Sequence, residues 1–279
     1  MYKLSQEEFI ALRGLISELS GIHLDNGKEY LIETRLKGLL EELGLTSFIH
    51  LYRVAKEEKD KIICQKIIDA VSTNETMFFR DIWPFELIKH KIMPDLIDKR
   101  SERTDVIGKI PIRIWCMACS TGQEVYSTAI ILKELFLDPK KYDIYIMGTD
   151  ISSAAVAKAS YGEYNKFEVT RGLSPERLNR YFSLKGENYK VKDEIRSMVV
   201  FKKLNLLEPF MWTGKYDIIL FRNVAIYFNP KDRAAMYEKI ANVIAKDGYL
   251  IIGSTESLTN ETDLFKPYKY LRSIFYQLK

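Results

Sequence analysis

Two kinds of hydrophobic spacing divide the chain. Up to about residue 71, apolar residues recur every three or four positions, the period of helices with one buried face. Phe9, Leu12, Ile16 and Leu19 form the first stripe, opened by a Ser5 and Glu8 capping box and stopped at Gly21. The spacing predicts a second helix over Lys28 to Leu43, with Leu31, Leu36, Leu39, Leu40 and Leu43 facing inward and Gly44 ending it. A third, capped by Thr46 or Ser47, carries Phe48, Leu51, Tyr52 and Val54. A fourth carries Ile62, Ile63, Ile67, Ile68 and Val71. Four short helices without a strand signal imply an all-helical domain over residues 1–71.

From Ser72 the pattern changes. TNETMFFRD, at 73–81, sets polar and paired aromatic residues in a stretch with neither period. Helical pieces are expected around Trp83–Lys89 and Met93–Lys99, followed by a polar link from Lys99 to Lys109. From Ile110 onward short apolar, β-branched runs alternate with helical stretches, which predicts a parallel sheet with helices on both faces. The strands are expected at 110–116, 143–148, 199–204, 216–221 and 247–253, and the helices begin near Gly122, Ser152 and Pro230. Residues 161–198 are too long for a simple crossover. Their second half alternates like a hairpin turning near Gly186-Glu187-Asn188, so a small sub-domain of helix and antiparallel strands is expected to be inserted there. Pro267 to Leu278 reads as one final strand returning antiparallel to the sheet edge. The second domain, residues 72–279, is thus an α/β unit carrying that insert.

Composition excludes more than it selects. With 47% hydrophobic and 29% charged residues among 279, the chain is that of an ordinary soluble protein. No apolar run reaches the length of a membrane span, and MYKLSQEEF does not read as a signal peptide. A net charge of +4 argues against a dedicated nucleic-acid binder, and the helical segment is no basic arm, with 10 Lys/Arg against 12 Asp/Glu over residues 1–70. Cys64, Cys116 and Cys119 suggest a reducing compartment. Cys116 and Cys119 form a C-x-x-C, but Cys116 falls in a strand, and His23, His50 and His90 lack ligand spacing, so packing is the expected role and no metal is expected.

The chemistry concentrates in Arg113 to Tyr126, RIWCMACSTGQEVY. A buried strand turns through Ser120-Thr121-Gly122 into a helix, the arrangement that aims free backbone N–H groups at a ligand. The next strand runs into Gly148-Thr149-Asp150, and an acidic residue 28 positions past Gly122 suits ribose hydroxyls. There is no G-x-G-x-x-G and no G-K-[ST]. The reading is a nucleoside-containing ligand at the carboxyl edge of a parallel sheet.

Six motifs in order carry a more specific resemblance: TNETMFFRD, IWCMACSTGQEVYS at 114–127, GTDIS at 148–152, LNLL at 204–207, FRNVAIYF at 221–228 and GSTESL at 253–258. Over nearly its whole length the chain resembles the CheR chemotaxis receptor methyltransferases. That resemblance implies a class I S-adenosylmethionine-dependent methyltransferase, with a Rossmann-like doubly wound sheet, that methylates glutamates on the cytoplasmic helical bundle of methyl-accepting chemotaxis receptors. It further implies a cytoplasmic monomer that neither inserts in membranes nor binds nucleic acid. Asn74, Thr76 and Arg80 would line the cofactor and substrate mouth. Ala118 and Gly122 would lie along the methionine part, with Glu124 near its amino group. Asp150 would hold the ribose hydroxyls, and Asn205 and Leu206 would sit beside the adenine. Arg222, Asn223 and Tyr227 would border the active site, where Arg80 and Tyr227 are the catalytic candidates. Taken singly, Asp150 also suits a helix cap, Arg80 a surface ion pair, Asn205 a turn cap and Tyr227 strand-end packing.

The chain departs from the family in places. Gln123-Glu124-Val125 stands where Glu-Glu-Pro is frequent, and the second helix offers Lys28, Arg35 and Lys37 against Glu29 and Glu33. The loop around Lys185–Tyr189 is shorter than in relatives that bind a receptor's C-terminal pentapeptide, so pentapeptide-independent action is expected. Two other functions stay open at this point: a cofactor-binding scaffold without turnover, and a methyltransferase for another substrate. Against a nucleic-acid amino methylase, Arg222-Asn223-Val224-Ala225 stands where Asn/Asp-Pro-Pro-Tyr would be.

Overall fold

The computed structural model describes residues 3–100, 108–136, 141–211 and 214–279. Most of the expected polar link from Lys99 to Lys109 lies outside the described residues. Four helices come first: α1 (Gln6–Ser20), α2 (Glu29–Leu43), α3 (Phe48–Glu57) and α4 (Ile62–Val71). The capping box of α1 is formed in both directions, and Ser47 caps α3. They close on their own core of Phe9, Leu12, Ile16, Leu36, Leu40, Phe48, Leu51 and Ile67. Two assignments differ from the sequence pattern. In α2 it is Ile32 that is fully buried, with Leu43 at the margin of the core and Leu31 half-buried outside it. In α4 Ile62 is exposed and Cys64 takes the inward position, because the helix begins at Ile62 and its buried stripe runs Cys64, Ile67, Ile68, Val71.

Residues 73–77 are irregular, as their lack of period predicts, and 78–82 make a series of turns. The two expected helical pieces are one run: α5 (Trp83–Leu87) passes through a π-helical segment, Ile88–Ile92, into α6 (Met93–Arg100). An alternation of strands and helices follows: β1 (Ile110–Met117), α7 (Gln123–Leu135), β2 (Tyr142–Asp150) and α8 (Ser153–Tyr161). The inserted segment holds β3 (Glu163–Tyr164), α9 (Lys166–Thr170), α10 (Pro175–Tyr181), β4 (Phe182–Lys185), β5 (Asn188–Val191) and α11 (Asp193–Arg196). Its three strands form a separate antiparallel sheet, and the β4–β5 hairpin turns at Gly186-Glu187. The chain then returns to the main sheet through β6 (Val199–Lys203), β7 (Tyr216–Phe221), α12 (Pro230–Val243) and β8 (Ile244–Ile252).

The main sheet has seven strands in the order β6-β2-β1-β7-β8-β10-β9, parallel from β6 through β8. The tail is a hairpin and not the single strand expected. β9 (Phe265–Tyr270) and β10 (Ser273–Leu278) pair antiparallel, turning at Leu271-Arg272. Pro267 sits in the edge strand β9, where its missing N–H breaks no ladder. The chain leaves β1 toward β2 on one side and reaches β7 on the other. The crevice above the carboxyl end of β1 is therefore a switch point, where open α/β sheets take their ligands. Separate apolar cores fill the two faces, one around Ile114, Val125 and Ile130, the other around Trp115, Ile219 and Met236.

The helical unit is packed against that carboxyl edge. Gly21, which ends α1 at φ +74°, lies so close to the Phe228 ring that a Cβ would come within 2.6 Å of it. The His23 N–H donates to the Tyr227 carbonyl at 2.8 Å, and Gln65 Nε2 donates to the Ile151 carbonyl at 3.2 Å.

Candidate functional site

A cavity of about 360 Å³ opens at the switch point. Its floor is the turn between β1 and α7. Here Ala118 and Ser120 both take left-handed conformations, and Gly122 follows at φ +94° with Ala159 2.8 Å from where its Cβ would be. That contact requires glycine. It lets α8 approach and puts Gly122 behind the cavity, while Ala118, Cys119 and Ser120 line it. The Ser120 hydroxyl is buried without a hydrogen-bond partner. A polar group left so is a natural contact for a bound ligand.

Asp150 stands at the end of β2 and is largely buried. Its two oxygens accept the N–H groups of Ser120 at 2.7 Å and Ser152 at 2.9 Å. Burial pushes this carboxyl up, and those two N–H groups together with that of Ile151 pull it back. Asp150 thus fixes the floor turn and still lines the cavity. The cap of α8 is Ser152, whose hydroxyl accepts from the Ala155 N–H.

On the opposite wall one guanidinium gathers the site. Arg222, just past β7, has a side chain only 1% exposed. It donates to Glu124 at 2.6 Å, to Asp81 at 3.1 Å and to the Arg80 carbonyl at 2.9 Å. Burial pushes the Glu124 carboxyl up, opposed by Arg222 and then by Arg80. Asn223, in a left-handed conformation that asparagine tolerates, donates its N–H to Glu256 at 2.8 Å. The Gly253 N–H binds the same carboxylate oxygen at 2.7 Å.

The strap of residues 71–81 forms the lip. Asn74, Glu75, Thr76 and Arg80 all line the cavity, and Arg80 donates to the Glu75 carbonyl at 3.1 Å. Phe78 anchors the strap, with its ring edge-on to Tyr164 and Phe182 of the insert at 5.1 and 5.4 Å. Tyr227, in a 3₁₀ turn (Ala225–Tyr227), closes the cavity beside Val224, Ile226 and Phe228. Leu206 lines it as well. Asn205 does not line it: its Nδ2 donates to the Leu19 carbonyl at 2.8 Å, and its Oδ1 accepts from the Leu207 N–H at 3.0 Å. The side chain thus turns the chain and ties α1 to the sheet edge.

Sequence reasoning missed Ser20 and Ile22, the wall contributed by the helical unit, because nothing in a helical period says which residues on either side of a glycine stop meet a distant sheet. It also gave no role to Asp81 and Glu256, although both stand inside quoted motifs. All three cysteines are buried and unpaired. Among the described residues no group of three His, Cys, Asp or Glu side chains could hold a metal ion, and no helix is long and apolar enough to cross a membrane.

Comparison with known proteins finds matches over nearly the whole chain. The family described as "CheR methyltransferase, SAM binding domain" matches residues 74–274, and "CheR methyltransferase, all-alpha domain" matches residues 7–72. The chain is 36% identical to Chemotaxis protein methyltransferase 1 of Pseudomonas aeruginosa over 98% of both chains. It is 34% identical to Chemotaxis protein methyltransferase Cher2 of Pseudomonas putida, again over 98% of both. It is also 34% identical to the Chemotaxis protein methyltransferase of Vibrio anguillarum, over 99% of this chain and 98% of the relative.

Replacing Arg222 by Met keeps much of its apolar stem but strands two carboxylates. Arg222→Met is expected to lower unfolding stability by about 3 kcal/mol, the smaller end for a buried pair because Asp81 is 35% exposed. Urea denaturation of the variant beside the parent measures this.

Proposed function

The chain belongs to the CheR methyltransferase family, and on that premise we propose that it methylates glutamate side chains of chemotaxis receptors, forming glutamyl methyl esters. The observation that carries the reading is the cavity itself. Buried carboxylates on its inner walls and an arginine on its lip suit a cationic nucleoside donor inside and a carboxylate at the mouth. The family's domain binds S-adenosylmethionine, and the donor set fits that molecule. Asp150 would offer acceptors to the ribose hydroxyls, Glu124 would meet the ammonium group, and the unpartnered Ser120 hydroxyl would lie along the methionine part. Leu206 would shield the adenine. Asn205 stays outside the cavity, its side chain being engaged with Leu19 and Leu207.

When bound, S-adenosylmethionine supplies an electrophilic methyl group on a sulfonium. The acceptor glutamate is ionised at neutral pH, with a reference pKa of about 4.3, so no general base is required. The protein's work is therefore alignment and the exclusion of water. Arg80 orients the incoming carboxylate with one hydrogen bond. A bidentate clamp would over-stabilise the ground-state anion. Tyr227 and Ile226 shape the mouth around it. The short β4–β5 turn at Gly186-Glu187 supports action independent of a receptor pentapeptide.

The direct test is transfer of radiolabelled methyl from S-adenosylmethionine to receptor-containing membranes, followed by alkali. Label released as methanol is the expected result; label stable to base would overturn the ester. Arg80→Ala is expected to lower kcat/KM by about 100-fold with donor affinity retained; near-normal turnover would remove Arg80 from its role. Glu124 adds a pH signature. Its folded pKa lies above the usual 4.5, so as pH falls through that raised value the carboxylate is lost and donor affinity drops. Calorimetry of donor binding at successively lower pH should show that drop. Glu124→Gln should bind more weakly and give a flatter profile.

A further inference from the structure

Three arginines from three parts of the fold clasp the strap of residues 71–81. Arg35 of α2 donates to the Val71 carbonyl and to the Thr73 hydroxyl. Arg222 holds the Arg80 carbonyl and Asp81. Arg171, immediately after α9 in the insert, pairs with Glu75 at 2.7 Å. The first two grip main-chain carbonyls. The third joins side chain to side chain in the open, with Glu75 64% and Arg171 37% exposed. So exposed an ion pair contributes little to stability, and another carboxylate can replace it.

What the pair stands beside gives it meaning. Glu75 lines the cavity, and Arg80 binds the carbonyl of that same residue. The Arg171 guanidinium also lies 5.3 Å from the centroid of the Phe167 ring, which is 67% exposed. A cation and an open aromatic face thus stand together next to the lip where the protein substrate must enter, and the carboxylate held there belongs to the strap.

We propose that Arg171 is a specificity-determining residue for the protein substrate: it receives an acidic side chain flanking the reacting glutamate, and Glu75 holds its place until then. The inference rests on the receptor-methylation reading above. The surface it defines fits a helix that carries an acidic residue and an apolar residue on one face, the acid for Arg171 and the apolar group for Phe167. Exchange of Glu75 for the substrate's acid keeps the charge balance, so discrimination lies in what brings a second carboxylate into register.

A charge swap separates this role from a structural one. In Arg171→Glu, KM for the receptor is expected to rise about ten-fold, since a rim attraction becomes a repulsion, with donor affinity by calorimetry within about two-fold. The double variant R171E/E75K rebuilds the ion pair with its polarity reversed. If the pair only holds the strap, the swap restores the parent KM; if Arg171 receives substrate, KM stays high. A restored KM in the swap, or an unchanged KM in Arg171→Glu, overturns the inference. Should Arg171→Glu lose donor binding, Arg171→Gln carries the test, with KM raised about three-fold and an unchanged KM overturning the inference. Base-labile transfer by the parent protein is read first. Its absence would remove the receptor reading and this inference together, whereas parent transfer with an unaffected variant removes this inference alone.

Discussion

The buried guanidinium of Arg222 is the point on which the cavity depends. It joins the end of β7, the first turn of α7 and the strap, through Glu124, Asp81 and the Arg80 carbonyl. Taking that charge out of water costs several kcal/mol, recovered only because carboxylates and a carbonyl surround it. The same arrangement sets Glu124, which burial pushes up and Arg222 draws back. It also holds the strap in a shape the chain would not otherwise choose. Phe79 and Asp81 are both left-handed at φ +51° and +54°, a strain of about 1 kcal/mol or more at each. The buried Phe78 ring, the Phe79 N–H on Ser127 and the clasp of Arg222 offset it.

With the strap fixed, the helical unit becomes a wall of the site. Ser20 and Ile22 line the cavity, and three contacts hold them there: Gly21 under Phe228, Asn205 on the Leu19 carbonyl, and the His23 N–H on Tyr227. Each joins residues far apart in sequence. The cavity therefore exists only when the helical unit, the strap and the sheet edge are assembled together.

That dependence explains what could be read from the sequence. Helices and strands are local, so the 3.6-residue stripes of α1 to α4 and the short apolar runs of the sheet gave their own positions. Errors fell where packing decides: Ile32 over Leu31, Cys64 over Ile62, a hairpin in place of one terminal strand. The candidate site was legible through motifs whose order matches a known family, and most of the residues so named do line one cavity. Asn205 shows the limit. A motif marks a position in sequence, but a helix end nearly two hundred residues away engages this side chain and leaves the residue outside the cavity. Asp81 and Glu256 show another, since nothing about an acid in a motif reveals that it braces a neighbour.

The electrostatic layout carries the last step. The inner walls present Asp150 and Glu124, and Glu256 lies close enough to add to the cost of ionising Glu124. The lip presents Arg80 and, beyond it, Arg171. In the reading proposed here a sulfonium nucleoside and a carboxylate meet between them, and each ligand finds the opposite charge on its own side. Neither charge needs to be created during the reaction, so the site can dispense with proton-transfer groups and rely on placement. This makes the strap the decisive element. It carries Arg80 to the boundary between the acidic interior and the basic lip, and a shift of it would move that arginine.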